Sequence, residues 1–203
     1  MVITYYGVGC FKVQSGETVI AFNPPSKESE YKSPRFASDM VLVSVNDKDY
    51  NGWENLPAKI EGEKPFVADS SGEYEVSGIY IKGIESNNHS NTVYGLSLEE
   101  ISICHLGALG KEVNPKIKES LGDIDILFIP IGGGNLLEPQ KAASVATHLG
   151  AKIVIPMNYN EIQLKQFIKE FGAEEVMPAD KLTIKKKDLA DKKGEIVVLK
   201  SVV

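Results

Sequence analysis

Two nearly unbroken apolar stretches in the second half, Ile124–Ile131 and Lys152–Met157, constrain this chain most. Each has the length of a strand and ends at a turn, and a strand that is apolar throughout has to be covered on both faces. Between them, Ala142, Val145, Ala146 and Leu149 fall at i, i+3, i+4 and i+7, one face of a helix that Gly150 stops. Beyond the second stretch, Asn160-Glu161-Ile162-Gln163 has the form of a capping box, and Leu164, Phe167, Ile168 and Phe171 repeat the helical spacing as far as Gly172. Asn114 with Pro115 opens a further helix, which ends at Gly122.

The first half is strand-rich. Short β-branched or aromatic runs lie at Val2–Tyr6, Phe11–Gln14 and Thr18–Phe22, followed by a continuous apolar run at Met40–Val45. Further strand signals lie at Pro65–Ala68, Ile79–Ile84, Thr92–Leu98 and Ile101–His105, with Glu99-Glu100 as a turn, and at Leu182–Lys185 and Glu195–Lys200. The stretches 26–38 and 46–64 are polar and read as loops. Strands, then helix-strand-helix, then strands again predict a layered α/β (α+β) architecture. With no Pro/Gly/Ser-rich linker, residues 1–203 are expected to form a single domain.

Charge excludes some functions. With 22 basic and 28 acidic residues the net charge is −6, so no nucleic acid is expected as partner. Lys185, Lys186, Lys187, Lys192 and Lys193, interrupted by Asp188 and Asp191, read as a solvated hairpin. Cys10 and Cys104, the only cysteines, are expected to be reduced core residues. The start, Met1 to Gly7, lacks a basic region and a long apolar stretch, and no run reaches the ~20 residues that span a bilayer. The expectation is a cytoplasmic protein with no membrane partner. A homo-oligomer stays open, as does an unknown small-molecule or protein partner.

Six blocks follow one another in a telling order. They are Gly7-Val8-Gly9-Cys10-Phe11, the run Val41 to Gly52, Gly72 to Gly78, His105-Leu106-Gly107-Ala108-Leu109-Gly110, Ile129-Pro130-Ile131-Gly132-Gly133 and Ile155-Pro156-Met157-Asn158-Tyr159. Together they resemble the metal-dependent hydrolase branch of the metallo-β-lactamase superfamily. The resemblance implies a four-layer αββα sandwich with two metal ions at one edge of the paired sheets. That family carries His-x-His-x-Asp-His after a strand, because imidazole and carboxylate ligands with an open position suit an ion that activates water.

Here the family's ligand positions fall on Val45, Asp47, Asp49 and Tyr50, then on Ala108 in place of a bridging Asp and on Asn158 in place of a His. His89 is available for the remaining His, Val8 stands where a His is common, and Asn23 where an Asp is common. At least five of seven ligands are lost, and the chain has three His in all. Valine offers a metal nothing, and an amide is a weak zinc ligand. The expectation is therefore a non-catalytic member, with no catalytic residue and no cofactor, that uses the scaffold for binding or assembly. Trp53 and Tyr50 are candidates for an aromatic contact surface or for core packing.

The alternative is a hydrolase of a small phosphoester with an oxygen-rich site. Asp47, Asp49 and His89, with Asn158, would hold zinc or another divalent metal. Two carboxylates in a polar loop equally serve as turn formers. Ser44, Ser70 and Ser71 lack a nucleophile elbow, and Gly132-Gly133-Gly134 lacks the spacing and the Lys of a P-loop. A Cys10–His105 pair needs geometry that spacing does not supply.

Overall fold

The computed structural model describes residues 1–57, 59–60, 62–86, 91–110 and 115–203. Among them, the strands form two sheets. The first contains β1 (Val2–Tyr5), β2 (Phe11–Ser15), β3 (Thr18–Phe22), β4 (Met40–Leu42) and β5 (Phe66–Ala68). The second is built from β6 (Gly72–Val76), β7 (Ile79–Glu85), β8 (Thr92–Leu98), β9 (Ile101–His105), β10 (Ile126–Pro130) and β11 (Ile153–Met157). Two short late strands, β12 (Leu182–Thr183) and β13 (Glu195–Ile196), extend them, giving the orders β12-β1-β2-β3-β4-β5 and β13-β11-β10-β9-β8-β7-β6. The helices α1 (Pro115–Leu121), α2 (Pro139–Leu149) and α3 (Glu161–Glu170) complete the frame.

The two apolar stretches behave as their composition requires. β10 and β11 lie parallel and adjacent inside the second sheet, buried at every position. One face of the second sheet packs on the first, where Phe11, Phe22, Met40, Ile81, Ile103, Phe128 and Ile155 share a core. The other carries Leu127, Ile129 and Val154 against Ala142, Val145 and Leu149 of α2 and Phe167 of α3. Gly150 takes the left-handed conformation that ends α2, and Asn160 with Gln163 forms the capping box of α3. The cap expected at Asn114 lies outside the described residues.

Three details differ from the sequence reading. The block 72–76 is a strand, paired antiparallel with β7 across a Ser77-Gly78 turn at φ +51° and +76°. Its residues alternate between half-buried and exposed at the edge of the sheet, so it carries no apolar signal. The expected C-terminal hairpin does not form, because β12 pairs with β1 and β13 with β11, in different sheets. The connection is fixed by Leu189, fully buried in the inter-sheet core, and by Lys186 bonded to Asp125 at 2.8 Å. Finally, the outer face of the first sheet is covered thinly. Ala21, Val41 and Val43 pack under Phe36, Leu56 and Trp53, from loops and the 3-10 turn Trp53–Asn55.

Candidate functional site

The strand run Met40–Val45 stops pairing at Leu42, and the reason is local. The Ser44 backbone N–H turns to the Asn23 carboxamide oxygen at 2.7 Å, while the Asn23 amide donates to the Ser44 hydroxyl at 3.3 Å. The chain then enters a tight loop. Asp47 Oδ1 accepts the Asp49 N–H at 2.8 Å, and Asp49 Oδ1 accepts the Ser29 hydroxyl at 2.6 Å. Both carboxylates thus shape turns, the structural role such residues commonly take.

This loop forms one wall of a cleft of about 710 Å³ at the C-terminal ends of β4, β9 and β10. Val45, Asp47, Asp49, Tyr50 and Ala108 line it together. A contiguous cleft of about 410 Å³ shares Asp49, Tyr50 and Leu136 and reaches Asn158 and Tyr159 beyond β11. The Asn158 carboxamide N–H donates to the Tyr50 hydroxyl, joining the loop after β4 to the end of β11. Burial pushes the Tyr50 phenol up to about 12, against the lowering effect of the Asn158 bond and with help from Asp49 and Asp47. Burial does the same for Tyr159. Six of the seven expected positions therefore border one continuous space, and His89 lies outside the described residues.

The cleft is closed below by buried amides. Asn91 donates to the Leu106 carbonyl at 3.1 Å and to the Ser86 hydroxyl at 3.2 Å, and accepts the Ala108 N–H at 2.7 Å. The sequence reading missed Asn91. Its only sequence signal is an amide heading a strand, whereas its backbone partners lie 15 and 17 residues away. Thr92 N–H bonds the Ser44 carbonyl at 2.8 Å, so Ser44, Asn23 and Asn91 bind the sheets together beneath the cleft. That accounts for Ser44 as a bracing residue. Ser70 bonds the Tyr74 hydroxyl at 3.0 Å, and Trp53 packs under the first sheet away from the cleft.

The Cys10–His105 idea fails on geometry. His105 is fully buried, its Nδ1 accepts the Gly107 N–H at 3.0 Å, and its Nε2–H therefore donates to the Gly9 carbonyl at 3.1 Å. The ring stacks on Phe22 at 4.8 Å. Burial lowers its pKa to about 3 despite the Gly9 bond, and burial raises the Cys10 thiol far above its ordinary value. A saturated neutral imidazole beside a protonated thiol makes no nucleophile. His148 is exposed near the end of α2.

Backbone strain gathers at the same place. Val8, Asn23 and Asn158 adopt left-handed φ of +53°, +44° and +54°. Asparagine tolerates this, but a β-branched residue does so only under constraint. Val8 is held because its carbonyl accepts the Asn158 N–H and the Tyr5 hydroxyl, each at 3.0 Å. Val8→Gly is expected to raise stability by about 1 kcal/mol. Relief of roughly 1–3 kcal/mol of strain outweighs glycine's extra unfolded-state entropy of about 0.5–1 kcal/mol. Urea denaturation checks it, and an unchanged or lower midpoint would show that Val8 sits there without strain.

Two sheets packed face to face, helices on one side and a cleft at the strand ends define a metallo-β-lactamase-fold protein. Residues 2–158 match the β-lactamase superfamily domain, and the chain belongs to that superfamily. It is similar to a UPF0173 metal-dependent hydrolase of Listeria monocytogenes, 25% identical over 199 residues covering 81% of this chain and 87% of the relative. A UPF0173 protein of Pyrococcus furiosus is 28% identical over 194 residues, covering 84% and 90%. The crystal structure of a proposed Zn-dependent hydrolase of the metallo-β-lactamase superfamily from Thermotoga maritima superposes with a TM-score of 0.81, at 30% identity over 98% of each chain.

These relatives imply a divalent metal, and the donors among the described residues do not fit one. Among the described residues no group of three or more His, Cys, Asp or Glu side chains could hold a metal ion. Val45 and Ala108 have no donor atom, and the Tyr50 phenol is protonated and bonded to Asn158. No helix of the described residues is long and apolar enough to cross a membrane.

Proposed function

We propose that this chain is a non-catalytic member of its superfamily, in which the cleft of the former metal site serves as a binding or assembly surface. The observation that carries this reading is the convergence of Val45, Tyr50, Ala108 and Asn158 on one continuous cleft, where a dinuclear site would need imidazoles and carboxylates. The Tyr50–Asn158 bond ties together two elements that shared metal ions would otherwise bridge. The bracing beneath, from Asn23, Ser44 and Asn91, remains complete, which fits a scaffold kept for use. Among the described lining residues Asp47 and Asp49 are the charged groups, and there is no Lys or Arg. Such a lining disfavours a free phosphoester, since nothing there balances a dianion.

The names of the relatives favour a second reading, a metal-dependent hydrolase using Asp47, Asp49, His89 and Asn158. Both aspartates do border the cleft. One measurement separates the two readings. Protein purified without chelator and dialysed against zinc and manganese is expected to retain under about 0.1 metal ion per chain by mass spectrometry, because two or more strong ligands are needed for tight retention. Near-stoichiometric metal, lost on changing Asp47 and Asp49 to Ala, would establish the hydrolase reading in its place.

A further inference from the structure

A second cleft, of about 840 Å³, lies under the 26–35 loop beside the candidate site, sharing Tyr31 with it. We propose that it binds a small phosphate-bearing anion, pyrophosphate or an organic phosphate, through Lys27, Lys32 and Arg35. These three cations come from one nine-residue stretch and line the same cavity, and Arg35 is the single arginine of the chain. None of the three forms an ion pair among the described residues.

Several lysines elsewhere are paired with carboxylates. Lys152 and Lys186 pair with Asp125, Lys59 with Asp39, Lys82 with Glu73 and Lys192 with Glu195. Two members of the C-terminal lysine run are thus used in structural pairs, which the 26–35 loop does not do. Three cations lining one cleft repel one another, and a multiply charged anion relieves that repulsion.

A second observation points into the same cavity. Ser33 lines this cleft, and its hydroxyl is buried just beneath the surface with no hydrogen-bond partner. A phosphate oxygen would accept from it, as from the Arg35 fork. The volume exceeds what inorganic phosphate fills and falls in the range of small-molecule sites. Half-exposed Tyr31 and partly buried Tyr6 offer ring surface for an organic group. Against the cations stands Glu30, so charge favours a ligand of two or more negative charges. The loop is fixed in place. The Ser26 N–H bonds the Lys48 carbonyl at 2.8 Å, and a Cβ on Gly52 would fall 2.2 Å from the Pro25 carbonyl.

Calorimetric titration of the intact, metal-free protein with sodium pyrophosphate at low salt tests this. Saturable binding is expected, weakened about tenfold or more by Arg35→Ala and tightened severalfold by Glu30→Gln, with melting temperatures unchanged because all these side chains are exposed. The proposal is overturned if the heat matches that of sodium chloride at equal ionic strength. It is also overturned if Arg35→Ala binds like wild type, or if Tyr50→Ala abolishes binding while Arg35→Ala does not. Metal content plays no part in the readout, so this result and the non-catalytic reading stand or fall separately.

Discussion

Acidification from about pH 6.5 to about pH 3 is expected to destabilise this protein steeply, with His105 setting the slope. The imidazole is buried as the neutral Nε2–H tautomer, between the Gly9 carbonyl and the Gly107 N–H. Unfolded, it titrates near 6.5; folded, burial holds it near 3. Between those values the unfolded state binds the extra proton, so stability rises with pH and is lost as pH falls through the window. The contribution is fully present above the unfolded value and approaches 1.4 kcal/mol per pH unit inside the window, roughly 4–5 kcal/mol in all. Asp125 adds a separate loss below about 3.8. Burial opposes its charge, but bonds from Lys152 and Lys186 prevail and lower its pKa. Urea midpoints of wild type and His105→Phe across pH 3.5 to 7.5 check this. Phe keeps a ring against Phe22 but leaves two backbone groups unpaired, costing about 2–4 kcal/mol at neutral pH. The gap is expected to narrow as pH falls, and parallel curves would show that His105 carries no linkage.

The fold was legible because its central elements are physically redundant in sequence. β10 and β11 are apolar at every position, α2 repeats every third and fourth residue, and α3 announces its own start with Asn160 and Gln163. Elements at the margins lack that redundancy. The strand 72–76 alternates Glu73 and Glu75 with Tyr74, as an edge strand does. The separation of β12 from β13 depends on Leu189 and the Lys186–Asp125 pair, contacts across 61 residues or more that no local pattern encodes. The candidate site divides in the same way. The positions bordering the cleft could be named because a family pattern put them in register. Asn91 could not, since its value comes from accepting one backbone group and donating to another after the chain has folded. The anion cleft was read as a polar loop because spacing alone does not tell a paired lysine from an unpaired one.

Gly107→Ala is expected to be among the most damaging single-methyl changes, costing at least about 3–5 kcal/mol, because it fills the bracing beneath the cleft. An alanine Cβ would fall 2.2 Å from Asn91 Oδ1, 2.5 Å from Ser44 Cβ and 2.7 Å from Ser44 Oγ. These atoms cannot retreat cheaply. Asn91 Oδ1 holds the Ala108 N–H, and Ser44 is fixed through Asn23. Moving either leaves a buried polar group unpaired, at about 1–3 kcal/mol each. The backbone adds to this, since Gly107 sits at φ +63°, where alanine costs roughly 1–2 kcal/mol. Gly134→Ala separates the two terms. Its φ is +64° and nothing lies within 4 Å of the added Cβ, so only the conformational cost of about 1–2 kcal/mol is expected. Urea denaturation of both variants gives the difference, and similar midpoints would mean that the Asn91–Ser44 bracing yields easily. A large difference would mean that the floor of the cleft stays rigid. Rigidity of that kind is what a retained binding surface requires, and an unused cleft would have no reason to keep it.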